Sequence, residues 1–157
     1  MRNNLTVESF RLDKSFGPVG SSAGTFVFIA GIISTWFSLA GLAMVLLGAF
    51  VGFSTSRTTV DFNKKRIRFS NDLFGFVKTG KWIIIEPGMA LGIRHEDRAW
   101  RAYSRSNRPL DIETSDLRIF LFDSSGKIIL PVMKTDSPET AETELVKLGN
   151  QLNLNLV

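Results

Sequence analysis

The chain has no cysteine and a single histidine among its 157 residues. The first absence excludes a disulfide framework and a thiolate nucleophile; together they exclude a zinc site of the Cys/His type. A third shortage is local. No charged residue stands between Ser15 and Ser56, although charged residues make up 22% of the whole. Bulk averages conceal this gap. A hydrophobic content of 44% and a mean hydropathy of +0.10 exclude a collagen-like chain, a disordered one and a transporter filled with spans. Nineteen basic against fifteen acidic residues leave a net charge of +4, which suits an anionic membrane surface and a nucleic acid equally well. Catalytic patterns are also missing. There is no Gly-x-Ser-x-Gly, no Gly-rich phosphate loop, no nucleophile–base pair and no paired catalytic carboxylates. The expectation is a non-enzymatic protein with no catalytic residue, no cofactor, no metal and no evident small-molecule substrate.

Within the uncharged run, Thr25 to Phe53 is almost continuously apolar. A helix crossing a membrane needs about 20 apolar residues. A cleaved leader is the competing reading, but Glu8 and Asp13 stand in what would be its basic region, and no small-x-small cleavage site closes the apolar stretch. A single helix over all of it would be too long for a hydrocarbon core of about 30 Å without strong tilt. The break falls at Ser34-Thr35-Trp36-Phe37-Ser38, and the spacing predicts two helices, near 18–34 and 37–53, packed antiparallel. Gly20, Gly24 and Gly31 on the first and Gly41, Gly48 and Gly52 on the second allow close approach, or self-association between copies. Arg2, Arg11 and Lys14 precede the run, and Arg57, Lys64, Lys65, Arg66 and Arg68 follow it. Positive flanks belong inside, so a hairpin puts both termini in the cytoplasm; one span would put a basic flank outside.

Past Arg57 the period changes. Val60 and Phe62 alternate with polar residues, Asn63-Lys64 turns the chain, and Arg66–Ser70 alternates again, a hairpin signal. Lys81–Ile85 is a short apolar run ended by Glu86-Pro87-Gly88. Met89–Arg94 and Ala99–Ser104 are weaker candidates. Leu117–Phe122 and Lys127–Met133 flank the turn Asp123-Ser124-Ser125-Gly126, and Pro131 points to an edge or a bulge. Ser137-Pro138-Glu139 starts a helix, and Ala141, Leu145, Leu148 and Leu152 form its apolar stripe. The stripe fits a lid on the sheet. Glu139, Glu142 and Glu144 against Lys147 make its polar face a poor match to anionic lipid.

VDFNKKRIRF, GKWIIIEPG, RIFLFDSSGKIILPV and the helix from Pro138, behind a helical hairpin, resemble the bacterial membrane-anchored pleckstrin-homology-like (PH-like) proteins. The resemblance covers most of the chain and rests on patterns of strand and turn. It implies an α+β fold: a two-helix transmembrane hairpin, then an antiparallel sheet or open barrel of about seven strands capped by a C-terminal helix. The expected division is an N-terminal segment over 1–14, the hairpin over 15–56 and a cytoplasmic PH-like domain over 57–157.

Three clusters are candidates for recognition. Lys64, Lys65, Arg66 and Arg68 loosely match the basic pattern with which lipid-binding PH domains grip phosphorylated head groups; the plainer reading is a basic stretch that sets topology, at about 1 kcal/mol per residue. Arg98, Trp100, Arg101, Tyr103 and Arg105, with Arg108, have the composition of a protein-docking hot spot, or of arginines stacked on their neighbours; the membrane helices argue against nucleic acid. His95-Glu96-Asp97 reads as a solvated turn, since three consecutive residues of an extended chain cannot converge on one ion. The expected protein sits in the cell membrane with more than one pass, contacts lipids and scaffolds a protein partner. Anionic-lipid sensing, or service as an accessory subunit of an enzyme or transport complex, remains the alternative.

Overall fold

A computed structural model of the chain describes residues 7–103 and 109–157, and for 97–115 the backbone alone. The fold is α+β, with two sheets of mainly antiparallel strands and three helices among the described residues. In order these are β1 (Val7–Lys14), α1 (Gly17–Thr35), α2 (Ala40–Phe53), β2 (Thr55–Asp61), β3 (Arg66–Leu73), β4 (Val77–Thr79), β5 (Trp82–Ile84), β6 (Ala90–Tyr103), β7 (Pro109–Phe122), β8 (Ile128–Thr135), α3 (Pro138–Leu152) and β9 (Asn155–Leu156). One sheet runs β1-β2-β3-β4, with β5 also on β3; the other runs β8-β7-β6-β9. The chain divides into two compact units. One comprises Thr58–Phe69 and Lys81–Val157 with the chain up to Arg11, the other Leu12–Arg57 and Ser70–Gly80.

The first unit holds the hydrophobic core. Val60 and Ile67 meet Ile85, Leu91, Ile119, Leu121, Leu130 and Val132 there, and α3 closes the cluster with Leu145, Leu148 and Leu152. The helix forms where its signals stand. The Ser137 side chain accepts a bond from the Thr140 N–H at 3.3 Å, Pro138 occupies the first turn, and Asn153 ends the helix at φ 58° with its N–H on the Gly149 carbonyl. The stripe Ala141, Leu145, Leu148 and Leu152 is the buried face, as its spacing predicts.

Elsewhere the elements differ from the pattern. The two weaker candidates at 89–94 and 99–104 are one strand, β6, paired in unbroken register with β7 from Ala90↔Phe122 to Tyr103↔Pro109. Register of that length makes one ladder out of segments whose own alternation is poor. Pro131 lies on β8, at the sheet edge, between two register shifts against β7. A strand also precedes the apolar run: in β1 Leu12 is buried and Phe10 half-buried, so a short alternation suffices once β2 lies beside it.

In the second unit α1 spans 19 residues, about 28 Å, and is long and apolar enough to cross a membrane. The next helix starts later than the spacing predicts. The stretch from Trp36 to Leu39 makes a turn, closed by the Phe37 and Ser38 N–H groups on the Ser34 carbonyl at 3.0 Å, and Ser38 Oγ accepts from the Ala40 N–H at 3.2 Å. That leaves α2 at 14 residues, about 21 Å, short of a full span on its own.

Candidate functional site

The helices α1 and α2 invert the burial of a soluble domain. Their buried residues are Gly17, Ser21, Gly24 and Gly31 on one and Gly41, Gly48 and Gly52 on the other. Their large apolar side chains point outward: Phe26 is 74% exposed, and Ile33, Leu46 and Leu47 are exposed as well. Glycine permits the contact because the backbones touch. A Cβ on Gly24 would strike the Gly52 backbone, one on Gly48 the Phe28 backbone, and one on Gly31 would lie 2.6 Å from the Val45 nitrogen. Those pairings run antiparallel. Gly20 stands apart, against the Phe16 Cβ. Three hydroxyls of α1 bond within the helix, Ser22 to the Pro18 carbonyl and Thr25 to the Ser21 carbonyl, each at 2.9 Å, and Thr35 to the Gly31 carbonyl at 2.8 Å, while Ser21 Oγ is buried with no hydrogen-bond partner among the described residues. Only 22% of the apolar window of α1 is buried, whereas a core helix of a soluble protein is mostly buried.

The basic cluster is built on the turn between β2 and β3. Asp61 makes that turn. Its carboxylate accepts from the Lys64 backbone N–H at 3.1 Å and from Arg66 Nε at 3.0 Å. The backbone bond from Lys64, opposed by burial and helped by Arg66, holds the Asp61 carboxyl below its ordinary pKa. Lys65 adopts φ 43°, and its carbonyl accepts from the Ile85 N–H at 2.9 Å. The side chains of Lys64 and Lys65 are exposed. Arg66 and Arg68 share a face of β3 and both lie over the indole of Trp82, at 4.3 and 4.7 Å from the ring centroid. Trp82 gets there because β5 pairs Arg68↔Trp82 and Arg66↔Ile84. Arg68 Nε is buried with no hydrogen-bond acceptor among the described residues.

Four expected head-group residues therefore separate into two exposed lysines and two arginines over one indole, of which Arg66 is also held by the Asp61 carboxylate. Asp61 and Trp82 were not among the expected site residues. The signal for Asp61 is its position three residues before Lys64, the spacing at which an aspartate side chain caps a following backbone N–H. Trp82 is seventeen positions beyond Lys65, and only strand register connects them.

Of the expected docking segment, Arg98, Trp100, Arg101 and Tyr103 lie on β6, where the backbone alone is described, and Arg105 lies outside the described residues. His95 is exposed, and Glu96 is engaged elsewhere, 2.9 Å from Arg118 Nε. A groove of about 420 Å³ opens between the start of β6 and the turn after β7, where the Arg94 guanidinium lies 5.4 Å from the Phe122 ring centroid. No protein-family model matches the chain, and no curated protein matches it significantly.

Proposed function

We propose that this is a non-enzymatic integral membrane protein, in which α1 and α2 form a transmembrane hairpin and the strand-rich unit is a PH-like scaffold at the cytoplasmic face. The observation that carries the reading is the inverted burial of the two helices: glycine inside and large apolar side chains outside. Water makes such a surface costly, and hydrocarbon does not. Entry and exit of the pair are tied together, since the Ser15 N–H bonds the Ser54 carbonyl at 3.1 Å. Lys14 and Arg57 flank that end, and positive flanks favour the cytoplasm. The shortness of α2 is offset by the exposed turn residues Trp36, Phe37 and Leu39, and local thinning of the bilayer covers the remaining mismatch.

The PH-like reading rests on two sheets whose core α3 closes, and on a sequence without catalytic patterns. The docking surface for a protein partner is assigned to Arg98, Trp100, Arg101, Tyr103 and Arg105 on composition. Reporter fusions at residues 1 and 157 test the topology: both are expected to report cytoplasm, and opposite sides would leave one span. Co-purification tests the scaffold: Trp100→Ala with Arg101→Glu is expected to lose the partner, and an unchanged set of partners removes the assignment.

The two arginines over Trp82, beside Lys64 and Lys65, favour a second reading, recognition of anionic head groups by this turn. It is compatible with the first, because a scaffold held at a membrane gains orientation from such a contact.

A further inference from the structure

The turn from β3 to β4 carries a feature with no role in the fold's core. Phe74 and Gly75 both have positive φ, 56° and 80°. Glycine adopts that region freely; a phenylalanine does so only against steric resistance. Its surroundings hold it there. The Phe74 N–H donates to Ser54 Oγ at 3.2 Å, and its ring meets the Phe50 ring edge-on at 5.4 Å between centroids. Phe50 in turn meets Phe16 at 5.3 Å, and Phe74 meets Phe76 at 6.2 Å. Four phenylalanines thus form a ladder from the start of α1, across the last turn of α2, to the tip of the β-turn. The last rung has no cover: Phe76 is 76% exposed and Val77 44% exposed.

We infer that the tip Phe74–Val77 is a third membrane contact, with Phe76 and Val77 immersed at the boundary between head groups and acyl chains. The inference rests on the reading of α1 and α2 as membrane helices. Two observations select a lipid surface as the occupant. The ladder is continuous with the outward apolar surface of the helix pair, at the end where the chain enters and leaves it. The segment from Leu73 to Lys81 also contains no acidic residue and two lysines, Lys78 and Lys81, complementary to anionic head groups. Leaving water removes the exposed apolar surface of Phe76 and Val77 from an unfavourable contact. At the other end of the pair Trp36 and Phe37 are exposed at 86% and 87%, so aromatic residues stand at both ends.

The absence of cysteine makes a direct test simple. Single variants Val77→Cys, Leu46→Cys and Lys127→Cys of the full chain are labelled with a nitroxide and reconstituted in phosphatidylcholine–phosphatidylglycerol vesicles. Collision with oxygen, which concentrates in lipid, is compared with collision with a water-soluble nickel chelate. The label at 77 is expected to show an oxygen-to-nickel ratio several-fold above that at 127 and below that at 46. A label at 77 as open to nickel as the one at 127, with 46 deep in lipid, overturns the inference and leaves the membrane reading intact. A label at 77 shielded from both reagents overturns it in favour of a protein contact. A label at 46 in water removes both.

Discussion

Arg118 and Glu96 are joined across β6 and β7, guanidinium Nε to carboxylate Oε2 at 2.9 Å, and the arginine side chain has no exposed surface. Asp116 lies 3.2 Å from Arg118 on its own strand and accepts from Lys134 at 2.8 Å. Burying an ion is costly, and removing one partner from such a cluster strands the rest, at about 3–5 kcal/mol in buried cases. Asp116 serves two cations, so Asp116→Asn is expected to destabilise by about 3 kcal/mol. Glu96 is 31% exposed, and water replaces part of what Glu96→Gln removes, so about 1 kcal/mol is expected there. Urea unfolding of the full chain in micelles measures both. Equal losses would show that the two carboxylates are not separated by burial.

Acid should find the same residue. Burial pushes the Asp116 carboxyl up, but the bonds from Lys134 and Arg118 outweigh it and hold the group below its ordinary pKa. Asp61 is depressed in the same direction, first by the Lys64 backbone N–H. A carboxyl depressed in the folded state contributes stability that is fully present above the unfolded pKa of about 4 and is lost as pH falls through the folded value. The unfolding midpoint is therefore expected to hold through neutral pH and to fall below about pH 4. In Asp116→Asn that acid limb should shrink. A midpoint that already declines well above this window contradicts the assignment.

How far these features were legible depends on whether their signals are local. The helix α3 was, because Ser137, Pro138 and the stripe from Ala141 to Leu152 act within one segment. The apolar run was too, since the absence of charge is visible without a fold. The turn after β7 was readable for the same reason: the Asp123 carboxylate bonds the Ser125 and Lys127 N–H groups within five residues. Features set by register were not. Arg57 reads as a basic flank, yet it lies 3.2 Å from Asp72, which is buried. Arg66 and Arg68 read as free charges, and only the pairing of β5 brings Trp82 beneath them. The turn at Phe74 contradicts residue preference outright, because contacts with Phe50 and Ser54 outweigh the local cost.

The helix pair makes a sharper demand on shape. At Gly31 an added Cβ would lie 2.6 Å from the Val45 nitrogen, a contact that only backbone movement relieves. Gly31→Leu is expected to destabilise the pair by about 1–3 kcal/mol or to force it apart. Ala43, exposed on α2, is the control: Ala43→Leu should change little. Detergent denaturation followed by circular dichroism reads both. Equal tolerance at the two positions would mean that the glycine contact does not hold the helices together.

The arrangement over Trp82 distinguishes a head-group site from a diffuse charge. A diffuse basic surface responds to net charge alone, at about 1 kcal/mol per residue, so Arg68→Lys should bind anionic lipid as the native chain does. A stacked guanidinium is different. Its carbon lies 4.7 Å from the centroid of the indole, and a planar guanidinium stacks on an aromatic face in a way that a lysine ammonium cannot reproduce. Short-chain phosphatidylglycerol titrated into zwitterionic nanodiscs carrying the full chain separates the cases. With Trp36→Phe and Trp100→Phe in the background, fluorescence reports Trp82 alone. Arg68→Gln is expected to weaken binding by roughly fivefold, the equivalent of about 1 kcal/mol, and Arg68→Lys by nearly as much. Native-like binding by Arg68→Lys would reduce Lys64, Lys65 and the two arginines to a charge that sets topology.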